Sequence, residues 1–413
     1  MGVKLWWPAG SGGQTLYHMT ATVTGPKSKV SITRRIGFRV FALVTANDTV
    51  PGDLKGKDGS GTDTMRFRVN GANIFARGAN MIPMEEFEGR ANDAAFIRLV
   101  QSAKDGNMNI LRVWGGGIFL YNAFYDACDE LGILLYHDMM YAQNGHAPTN
   151  STKQANEIAH QVKRLSHHPS IIIWDACNEC NGGGLYASFV TAQVIKVDQS
   201  RPVWPSSPSG GWNAGVERLY GLPDGVKLNP RGRSPIETHG PYQHGNGYPG
   251  GAVNGGDKLI LFPSNIPPAL KIAPMSIHLK GTFASEFGCV AMSSFESMSK
   301  TLTGPKDWSL HSPPMKQRNY PCDNIIIVYW GQQNFSEYGE QAFKKQLYQC
   351  LIGQALNLKS NVEVRRATNN FGTIIWQYNE IWPTGGWGSI EYGTPVPGQV
   401  IGGRWKPSHY FYK

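Results

Sequence analysis

Two different spacings of apolar residues divide the chain into two regions. Within residues 1–50, apolar and polar side chains alternate, most clearly at residues 16–23 and 30–40. Alternation with a period of two places the apolar side chains on one face of an extended strand. This region is therefore predicted to contain three or four β-strands.

From residue 65 onward, short apolar runs alternate with longer amphipathic stretches. Residues 93–105 and 155–166 carry apolar side chains three or four positions apart, which predicts helices. Strands that alternate with helices indicate a parallel sheet. The predicted strands are residues 73–79, 108–114, 133–138, 170–176, 202–207, 235–239, 281–287 and 371–378.

Polar, glycine-rich stretches lie between these elements. Residues 51–64 have the composition of a flexible linker. The Asn70-Gly71 pair favours a type I′ turn and predicts a hairpin over residues 67–75 that leads into the parallel sheet. Residues 216–234, 240–280 and 301–325 are predicted to be long rim loops.

Two glutamates lie where predicted buried strands end. Glu179 follows the apolar run at residues 170–173, and Glu286 lies at the end of predicted strand 281–287. A lone glutamate in such a place is more often a helix cap or a salt-bridge partner. Two carboxyl groups at the C-terminal rim of a barrel, however, are the groups that glycoside cleavage needs. The pair therefore favours catalysis.

An ordered series of short motifs resembles the β-mannosidase branch of glycoside hydrolase family 2, over roughly residues 5–45 and 65–412. Catalytic domains of that family are (β/α)8 TIM barrels preceded by an immunoglobulin-like β-sandwich. The resemblance therefore implies an α/β fold with a TIM barrel at residues 65–413 and a partial sandwich at residues 1–50. The motifs lie at residues 77–83, 111–117, 124–133, 174–179, 282–288, 376–382 and 389–393.

The resemblance also implies that a jelly-roll domain and the first half of the sandwich are missing from this chain. The chain would then be either a fragmentary gene product or a naturally shortened relative. Half a sandwich leaves strand edges unpaired, and the sugar subsite would be open to water. We therefore expect the chain as given to be a weak enzyme of marginal stability.

By the same resemblance, Glu179 is the acid/base and Glu286 the nucleophile of a retaining mechanism that cleaves terminal β-mannosides. Asn178 is expected to bind the sugar 2-hydroxyl, and Trp376 is expected to form the floor of the subsite for the terminal sugar. The remaining residues expected to bind substrate are Asn80, Arg112, Trp114, His239, Tyr242 and Trp387.

Arg112 and Trp114 are two residues apart in a predicted strand, so both should point to the same face. An arginine there would stabilise the charge of a nearby Glu286. Alternatively, Arg112 would form an ion pair inside the barrel without touching the nucleophile. The glycines at residues 115–117 would let the backbone approach a ligand closely.

Several subsite motifs depart from the family pattern, at residues 80–85, 136–140 and 176–177. These differences affect the sugar preference more than the reaction. The alternatives left open are the same mechanism on a glucosaminide, galactoside or galactofuranoside, or a catalytically weak carbohydrate-binding barrel.

Composition narrows the functional classes. Charged residues make up 17% of the chain and hydrophobic residues 41%, which argues against a disordered protein. The net charge is +9, but no run of Lys or Arg reaches five residues, which argues against nucleic-acid binding. No apolar run is long enough for a membrane span. The expected partner is a β-linked glycan, with no cofactor and no metal, and the oligomeric state is left open.

The cysteines and sequons bear on the compartment. Cys177 and Cys180 lack two further zinc ligands at a suitable spacing, and the six cysteines suggest no disulfide framework. Buried free thiols are therefore expected. Asn47, Asn150 and Asn334 begin Asn-x-Ser/Thr sequons, which hint at a secretory route. The location would be lysosomal or secretory if an upstream signal precedes this chain, and cytoplasmic otherwise.

Overall fold

A computed structural model of the chain describes most of the predicted elements. The predicted linker at residues 51–64 and the predicted loop at residues 216–234 lie outside the described residues. The described residues are 2–44, 65–143, 148–180, 186–204, 206–208, 237–243, 283–318, 320–367, 371–393 and 403–413.

The strands are β1 (Tyr17–Thr24), β2 (Lys29–Ile36), β3 (Phe41–Val44), β4 (Arg66–Val69), β5 (Ala72–Ile74), β6 (Ala76–Met81), β7 (Ile110–Val113), β8 (Leu134–Asp138), β9 (Ile171–Asp175), β10 (Val203–Trp204), β11 (Glu237–Gln243), β12 (Phe283–Cys289), β13 (Ala291–Met292), β14 (Gly372–Ile375) and β15 (Gly385–Gly386). The helices are α1 (Asp93–Asp105), α2 (Asn122–Leu131), α3 (Thr152–Leu165), α4 (Ala192–Val197), α5 (Phe295–Met298), α6 (Pro313–Lys316), α7 (Asp323–Trp330), α8 (Glu340–Ala367) and α9 (Pro407–Phe411).

Eight parallel strands form one sheet in the order β10-β9-β8-β7-β6-β14-β12-β11. This is the order in which the strands of a (β/α)8 barrel follow one another around the ring, starting at the fifth strand and ending at the sixth. Ser207, just after β10, donates a hydrogen bond of 2.6 Å to Glu237 at the start of β11. Side chains therefore connect the two end strands, and the predicted α/β barrel is confirmed.

Each predicted barrel strand overlaps an observed one, but the first begins later than expected. Residues 72–74 belong to the antiparallel strand β5, and the barrel strand starts only at Ala76. The reason is the predicted hairpin turn, in which Asn70 and Gly71 both have positive φ, at 50° and 85°. A type I′ turn needs this geometry at both central residues.

The predicted helices are confirmed, with one boundary shifted. Helix α1 spans the predicted residues 93–105, and Asn92 caps it by accepting a hydrogen bond from the Ala95 amide. Helix α3 begins at Thr152, three residues earlier than predicted, because Ser151 caps its first turn. The predicted loop at residues 301–325 was partly wrong, since it contains α6 and the start of α7.

The described N-terminal residues form three strands, as the prediction of three or four allows. Strands β1 and β2 pair with each other as a hairpin, whereas β3 pairs with β4 at the entrance to the barrel. Trp6 is fully buried among barrel residues such as Ile110 and Phe283. Within the described part of residues 1–50, Trp6 and β3 therefore pack at the barrel, whereas the hairpin β1–β2 is largely exposed.

The barrel interior changes character along its length. Residues near the strand starts, including Ile110, Leu134 and Phe283, form an apolar cluster with Phe67 of the entry hairpin. Arg112 lies two residues beyond Ile110 and therefore faces the same interior. It is fully buried in a polar layer at the C-terminal ends of the strands. The polar layer thus coincides with the rim where barrel enzymes carry their sites.

The expectation of free thiols was wrong for four of the six cysteines. Cys177 is disulfide-bonded to Cys180, with 5.8 Å between their Cα atoms. Cys322 is bonded to Cys350, with a Cα–Cα distance of 5.7 Å, and this bond ties the start of α7 to α8. Cys128 and Cys289 are free and buried, as predicted. Among the described helices, none is both long and apolar enough to cross a bilayer.

Candidate active site

The two predicted catalytic glutamates lie close together at the C-terminal ends of the barrel strands. Glu286 is in β12, and Glu179 is four residues beyond the end of β9. One carboxylate oxygen from each and one ring nitrogen of His239 all lie within 4.8 Å of one another. The Glu179 side chain is 31% exposed and that of Glu286 only 5%. The pair is thus asymmetric, with Glu179 nearer to solvent.

His239 lies between the two carboxylates. Its Nδ1 donates a hydrogen bond of 2.7 Å to Glu179 and lies 3.7 Å from Glu286. Its Nε2 lies 3.1 Å from the hydroxyl of Ser207, whose single proton is donated to Glu237 at 2.6 Å. His239 therefore links Glu179 to Ser207 and Glu237 through hydrogen bonds.

The environment of Glu179 favours its ionised form. The hydrogen bond from His239 is the largest influence and lowers the pKa of Glu179, while burial acts in the opposite direction. Gln143 donates a further hydrogen bond of 3.2 Å to the other carboxylate oxygen, which also lowers this pKa. The hydrogen bonds from His239 and Gln143 therefore both favour the carboxylate form of Glu179 in the resting site.

Arg112 connects the groups around Glu286. Its Nη1 donates to Glu286 at 2.6 Å and to Asn80 at 3.0 Å, and its Nη2 donates to Asn178 at 2.7 Å. Asp138 accepts two more hydrogen bonds from this guanidinium, at 2.6 and 3.1 Å. Burial alone would lower the pKa of Arg112, but the carboxylates of Asp138 and Glu286 raise it well above its usual value. Of the two expectations for Arg112, contact with the predicted nucleophile is the one the structure shows.

Tyr242 provides the second hydrogen bond to Glu286. Its hydroxyl donates to Glu286 at 2.8 Å from β11. Burial and the neighbouring carboxylates raise the pKa of Tyr242, so the phenol keeps its proton. Glu286 is thus held between a cationic donor on one oxygen and a neutral donor on the other.

Asn80 and Asn178 differ in how much of each side chain remains available to bind a sugar. Asn80 is fully buried, with its oxygen bonded to Arg112 and its amide donated to the carbonyls of Ser285 and Ile375. It therefore links strands, and its predicted sugar contact stays a prediction. Asn178 also accepts from Arg112, so the sugar contact predicted for it would use its amide N–H groups.

Aromatic rings surround the carboxylates. The rings of Trp114 and Trp376 meet edge to face, with centroids 5.0 Å apart. Trp387 meets the ring of Tyr242 in the same way, at 5.7 Å. The predicted residues Trp114, Trp376 and Trp387 thus lie in two edge-to-face pairs, and Tyr242 of the second pair binds Glu286 directly. Rings in such positions can stack on the C–H faces of a pyranose.

Glycines in the rim make room for protein atoms. A Cβ at Gly116 would lie 2.0 Å from the Trp114 ring, and one at Gly288 would lie 2.2 Å from the carbonyl oxygen of Trp376. A Cβ at Gly115 would lie 2.3 Å from the carbonyl oxygen of Tyr141. Gly115 and Gly116 are therefore required by neighbouring residues, and the expected close approach of the backbone at residues 115–117 to a ligand stays a prediction.

Two groups of side chains within the described residues have a spacing that a metal ion could use. One is Glu179, His239 and Glu286, where the Arg112 cation 2.6 Å from Glu286 disfavours a second cation. The other is Asp126, Asp129 and His168, in which Asp129 already accepts hydrogen bonds from His168 and from the Ser170 amide. Both groups are thus accounted for by hydrogen bonds within the protein.

Comparison with known proteins agrees with this geometry. Residues 62–210 match the family model described as "Glycosyl hydrolases family 2, TIM barrel domain". The β-mannosidase of Capra hircus is 30% identical over 451 aligned positions, which cover 99% of this chain. The crystal structure of a β-D-mannosidase from Dictyoglomus thermophilum superposes with a TM-score of 0.72 at 27% identity, over 99% of this chain. Residues 62–210 therefore match the TIM barrel domain of glycosyl hydrolase family 2.

The chain is shorter than the proteins it resembles. It spans 45% of the goat β-mannosidase and 46% of the Dictyoglomus chain. β-Mannosidase A of Aspergillus flavus gives a similar picture, with 28% identity over 98% of this chain and 46% of the fungal protein. The chain thus spans about half the length of its curated relatives.

Two residues near the predicted catalytic pair were missed from the sequence. Asp138 ends strand β8 and binds Arg112, and its place at the end of a predicted strand was a usable signal. Gln143 reaches Glu179 because Ala142 pairs with Asn178 in an isolated bridge. That pairing joins two loops far apart in sequence, and no local pattern indicates it.

Proposed function

We propose that this chain carries the catalytic barrel of a retaining glycoside hydrolase that removes terminal β-mannosyl residues. The observation that carries the proposal is the spacing of Glu179 and Glu286. One carboxylate oxygen of each and one ring nitrogen of His239 all lie within 4.8 Å of one another. Retaining enzymes place their carboxyl groups about 5–5.5 Å apart, whereas inverting enzymes need roughly 6.5–9.5 Å to admit a water molecule. The preference for mannose is supported by similarity to β-mannosidases.

In the first step, a carboxylate oxygen of Glu286 forms a bond to the anomeric carbon while the bond to the leaving oxygen breaks. Glu179 donates its proton to that oxygen. Arg112 and Tyr242 hold Glu286 in place, which lowers the cost of orienting the nucleophile. The product is a covalent glycosyl-enzyme with inverted configuration.

In the second step, Glu179 acts as a base and takes a proton from water. The water oxygen attacks the anomeric carbon, and the bond to Glu286 breaks, so the configuration is restored. The exposed side of Glu179 is suited to this exchange because both the leaving group and the incoming water must pass it. His239 stays within hydrogen-bonding distance of Glu179 through both steps.

The proposal is tested with a panel of aryl β-glycosides that includes the mannoside, glucosaminide, galactoside and galactofuranoside. We expect the largest kcat/KM for the mannoside and, by proton NMR, the β-anomer as the first product. An α-anomer as first product would contradict the retaining mechanism. If kcat/KM were highest on another of these glycosides, the proposed specificity would be for that sugar instead of mannose. Sugar binding without turnover on any of them would support a binding barrel.

Replacing His239 by asparagine is expected to move the alkaline limb of the kcat/KM profile to higher pH. Glu179 must be protonated to act as an acid, so this limb follows its pKa. His239 provides the largest influence lowering that pKa, and burial, which raises it, remains in the variant. The pKa therefore rises, and the acid form persists to higher pH. The profile is measured on 4-nitrophenyl β-mannoside.

A matched control for this shift is Gln143→Leu. Gln143 also bonds to Glu179 but carries no charge, so its removal should shift the limb in the same direction by a smaller amount. An unchanged limb in His239→Asn, or a shift to lower pH, would contradict the role given to His239.

The domain organisation is a further part of this proposal. Residues 1–50 would contribute to an immunoglobulin-like sandwich, residues 51–64 would form a linker, and residues 65–413 would form the barrel. The hairpin β1–β2 supports this, because four side chains of its apolar face are at least half exposed, as expected of a face that packs on another sheet. They are Met19, Val23, Val30 and Ile32. First cuts by a protease within residues 51–64 would support the boundary, and first cuts within the barrel would count against it.

A further inference from the structure

The disulfide between Cys177 and Cys180 encloses the predicted acid/base. The four residues Cys177, Asn178, Glu179 and Cys180 form a turn that the disulfide closes into a ring. Asn178 in this ring is bonded to Arg112, and Glu179 is bonded to His239. The covalent link therefore closes directly around two groups of the active site.

The backbone inside this ring has an unusual conformation. Glu179 has a φ of +52°, in the left-handed region that ordinary side chains rarely occupy. Its amide donates to the Ser207 carbonyl at 2.7 Å, and the Asn178 amide donates to the Tyr141 carbonyl at 3.0 Å. Hydrogen bonds to both neighbouring strand ends thus act together with the disulfide to hold Glu179 in this conformation.

The ring also contacts Gln143, the second donor to Glu179. The Cys180 sulfur lies 3.8 Å from the Gln143 carbonyl oxygen, and the Gln143 amide donates to the Asn178 carbonyl at 2.7 Å. Gln143 itself has a φ of +49° and holds Glu179 at 3.2 Å. A displacement of the sulfur would therefore reach the carboxylate by two routes, through the turn and through Gln143.

Breaking the disulfide must displace atoms in the ring formed by residues 177–180. Bonded sulfur atoms are about 2.05 Å apart, whereas two thiols cannot approach so closely. Cys177 is fully buried and Cys180 is only 7% exposed, so no open space lies ready to take the separated thiols. Packed interiors transmit such displacements to their neighbours.

We propose that the Cys177–Cys180 disulfide positions Glu179 for acid/base catalysis, and that a dithiol reductant reversibly lowers the activity by opening it. The proposal rests on the function proposed above for Glu179. Cys177 and Cys180 are positioning residues, since they act on the substrate only through Glu179.

The chemistry is ordinary thiol–disulfide exchange. A thiolate of the dithiol attacks the more exposed Cys180 sulfur, the S–S bond breaks, and Cys177 leaves as a thiolate that takes a proton. The second thiol of the reagent then attacks the mixed disulfide and releases Cys180 as a thiol. The dithiol is oxidised to a cyclic disulfide, and the protein gains two thiols. Removal of the dithiol and air oxidation reverses the change.

A misplaced acid has a signature that unfolding lacks. A 2,4-dinitrophenolate leaving group needs no proton, whereas a poor leaving group such as methyl umbelliferone or a sugar does. Proton donation by a placed acid contributes roughly 10²–10⁴-fold to such a step. Reduction should therefore lower kcat/KM at least about tenfold on the poor leaving group. On 2,4-dinitrophenyl β-mannoside the bond-breaking step should change less than about twofold.

The experiment reduces the full chain with dithiothreitol and measures both substrates. Alkylation and mass spectrometry report which cysteines have opened, and a thermal melt reports whether the barrel stays folded. Cys177→Ala/Cys180→Ala is expected to show the reduced pattern without any reductant and to be insensitive to dithiothreitol. Cys322→Ala/Cys350→Ala removes the distant disulfide and should keep the full response.

The outcomes separate this proposal from the proposed function. An oxidised protein inactive on every aryl glycoside contradicts the proposed function. Equal activity ratios before and after opening of Cys177–Cys180 contradict the positioning role. Carbon-13 NMR titration of Glu179 tests positioning without turnover. Opening the disulfide should weaken the hydrogen bond from His239 and raise the pKa of Glu179, and an unchanged titration would overturn the proposal.

Discussion

Replacing Glu286 by alanine is expected to lower kcat on an aryl β-mannoside by on the order of 10⁶-fold, the size of loss that follows removal of a covalent nucleophile. Glu179, which lies within 4.8 Å of it, is not expected to take its place, because it is proposed to act as the acid in the same step. Alanine also leaves a space next to the anomeric carbon. Steady-state turnover and a thermal melt measure the loss and the retention of the fold.

Rescue by azide distinguishes loss of the nucleophile from general damage. In Glu286→Ala, azide can occupy the space left by the carboxylate and should yield an α-glycosyl azide. The matched control is Glu179→Gln. This variant should lose activity on substrates with poor leaving groups, whereas its glycosylation step should stay faster with the dinitrophenyl mannoside. Activity near wild type in Glu286→Ala would remove the two-glutamate mechanism altogether.

Arg112→Met is expected to lower the free energy of unfolding by about 3–5 kcal/mol and to abolish most turnover. The guanidinium is fully buried and donates to Asp138, Glu286, Asn80 and Asn178. A methionine of similar volume leaves both carboxylates buried without their cation, and an unpaired buried charge costs several kcal/mol. Denaturant unfolding and kcat are measured on the same preparation.

Arg201→Met is the control that separates the two effects. Arg201 is also almost fully buried and pairs with Asp198 next to strand β9. Its hydrogen bonds belong to a different network from those of Glu179 and Glu286. It should lose stability on a similar scale and keep its kcat. If Arg112→Met were as active as Arg201→Met, then Arg112 would be a structural residue only.

The barrel could be predicted because its strands are short, buried and apolar. Such runs stand out whatever surrounds them, and each predicted strand overlaps an observed one. Strand ends were less certain, since they depend on turns. The stretch from residue 73 was taken as one strand, although Asn70 and Gly71 turn the chain so that β5 runs back along β4 before the barrel begins.

The closeness of the two candidate catalytic glutamates could be predicted from motifs, but their environment could not. Glu179 and Glu286 each stand in a short recognisable segment. The contacts that set their chemistry join residues distant in the chain, such as Gln143 to Glu179 and Tyr242 to Glu286. These contacts arise only when the strands assemble. Cys177 and Cys180 are only three positions apart, but this spacing alone does not distinguish a disulfide from two free thiols.

The shared hydrogen bonds of Arg112 have a consequence for how this enzyme can evolve. Asn80, Asp138, Asn178 and Glu286 all depend on one guanidinium, so a change at any of these positions leaves a buried partner unsatisfied. Single mutations here meet a fitness barrier, and a new sugar preference cannot arise through them one at a time. Adaptation to a different glycan should instead begin at the surrounding aromatic and loop residues, where a substitution changes the shape of the pocket while the reaction survives.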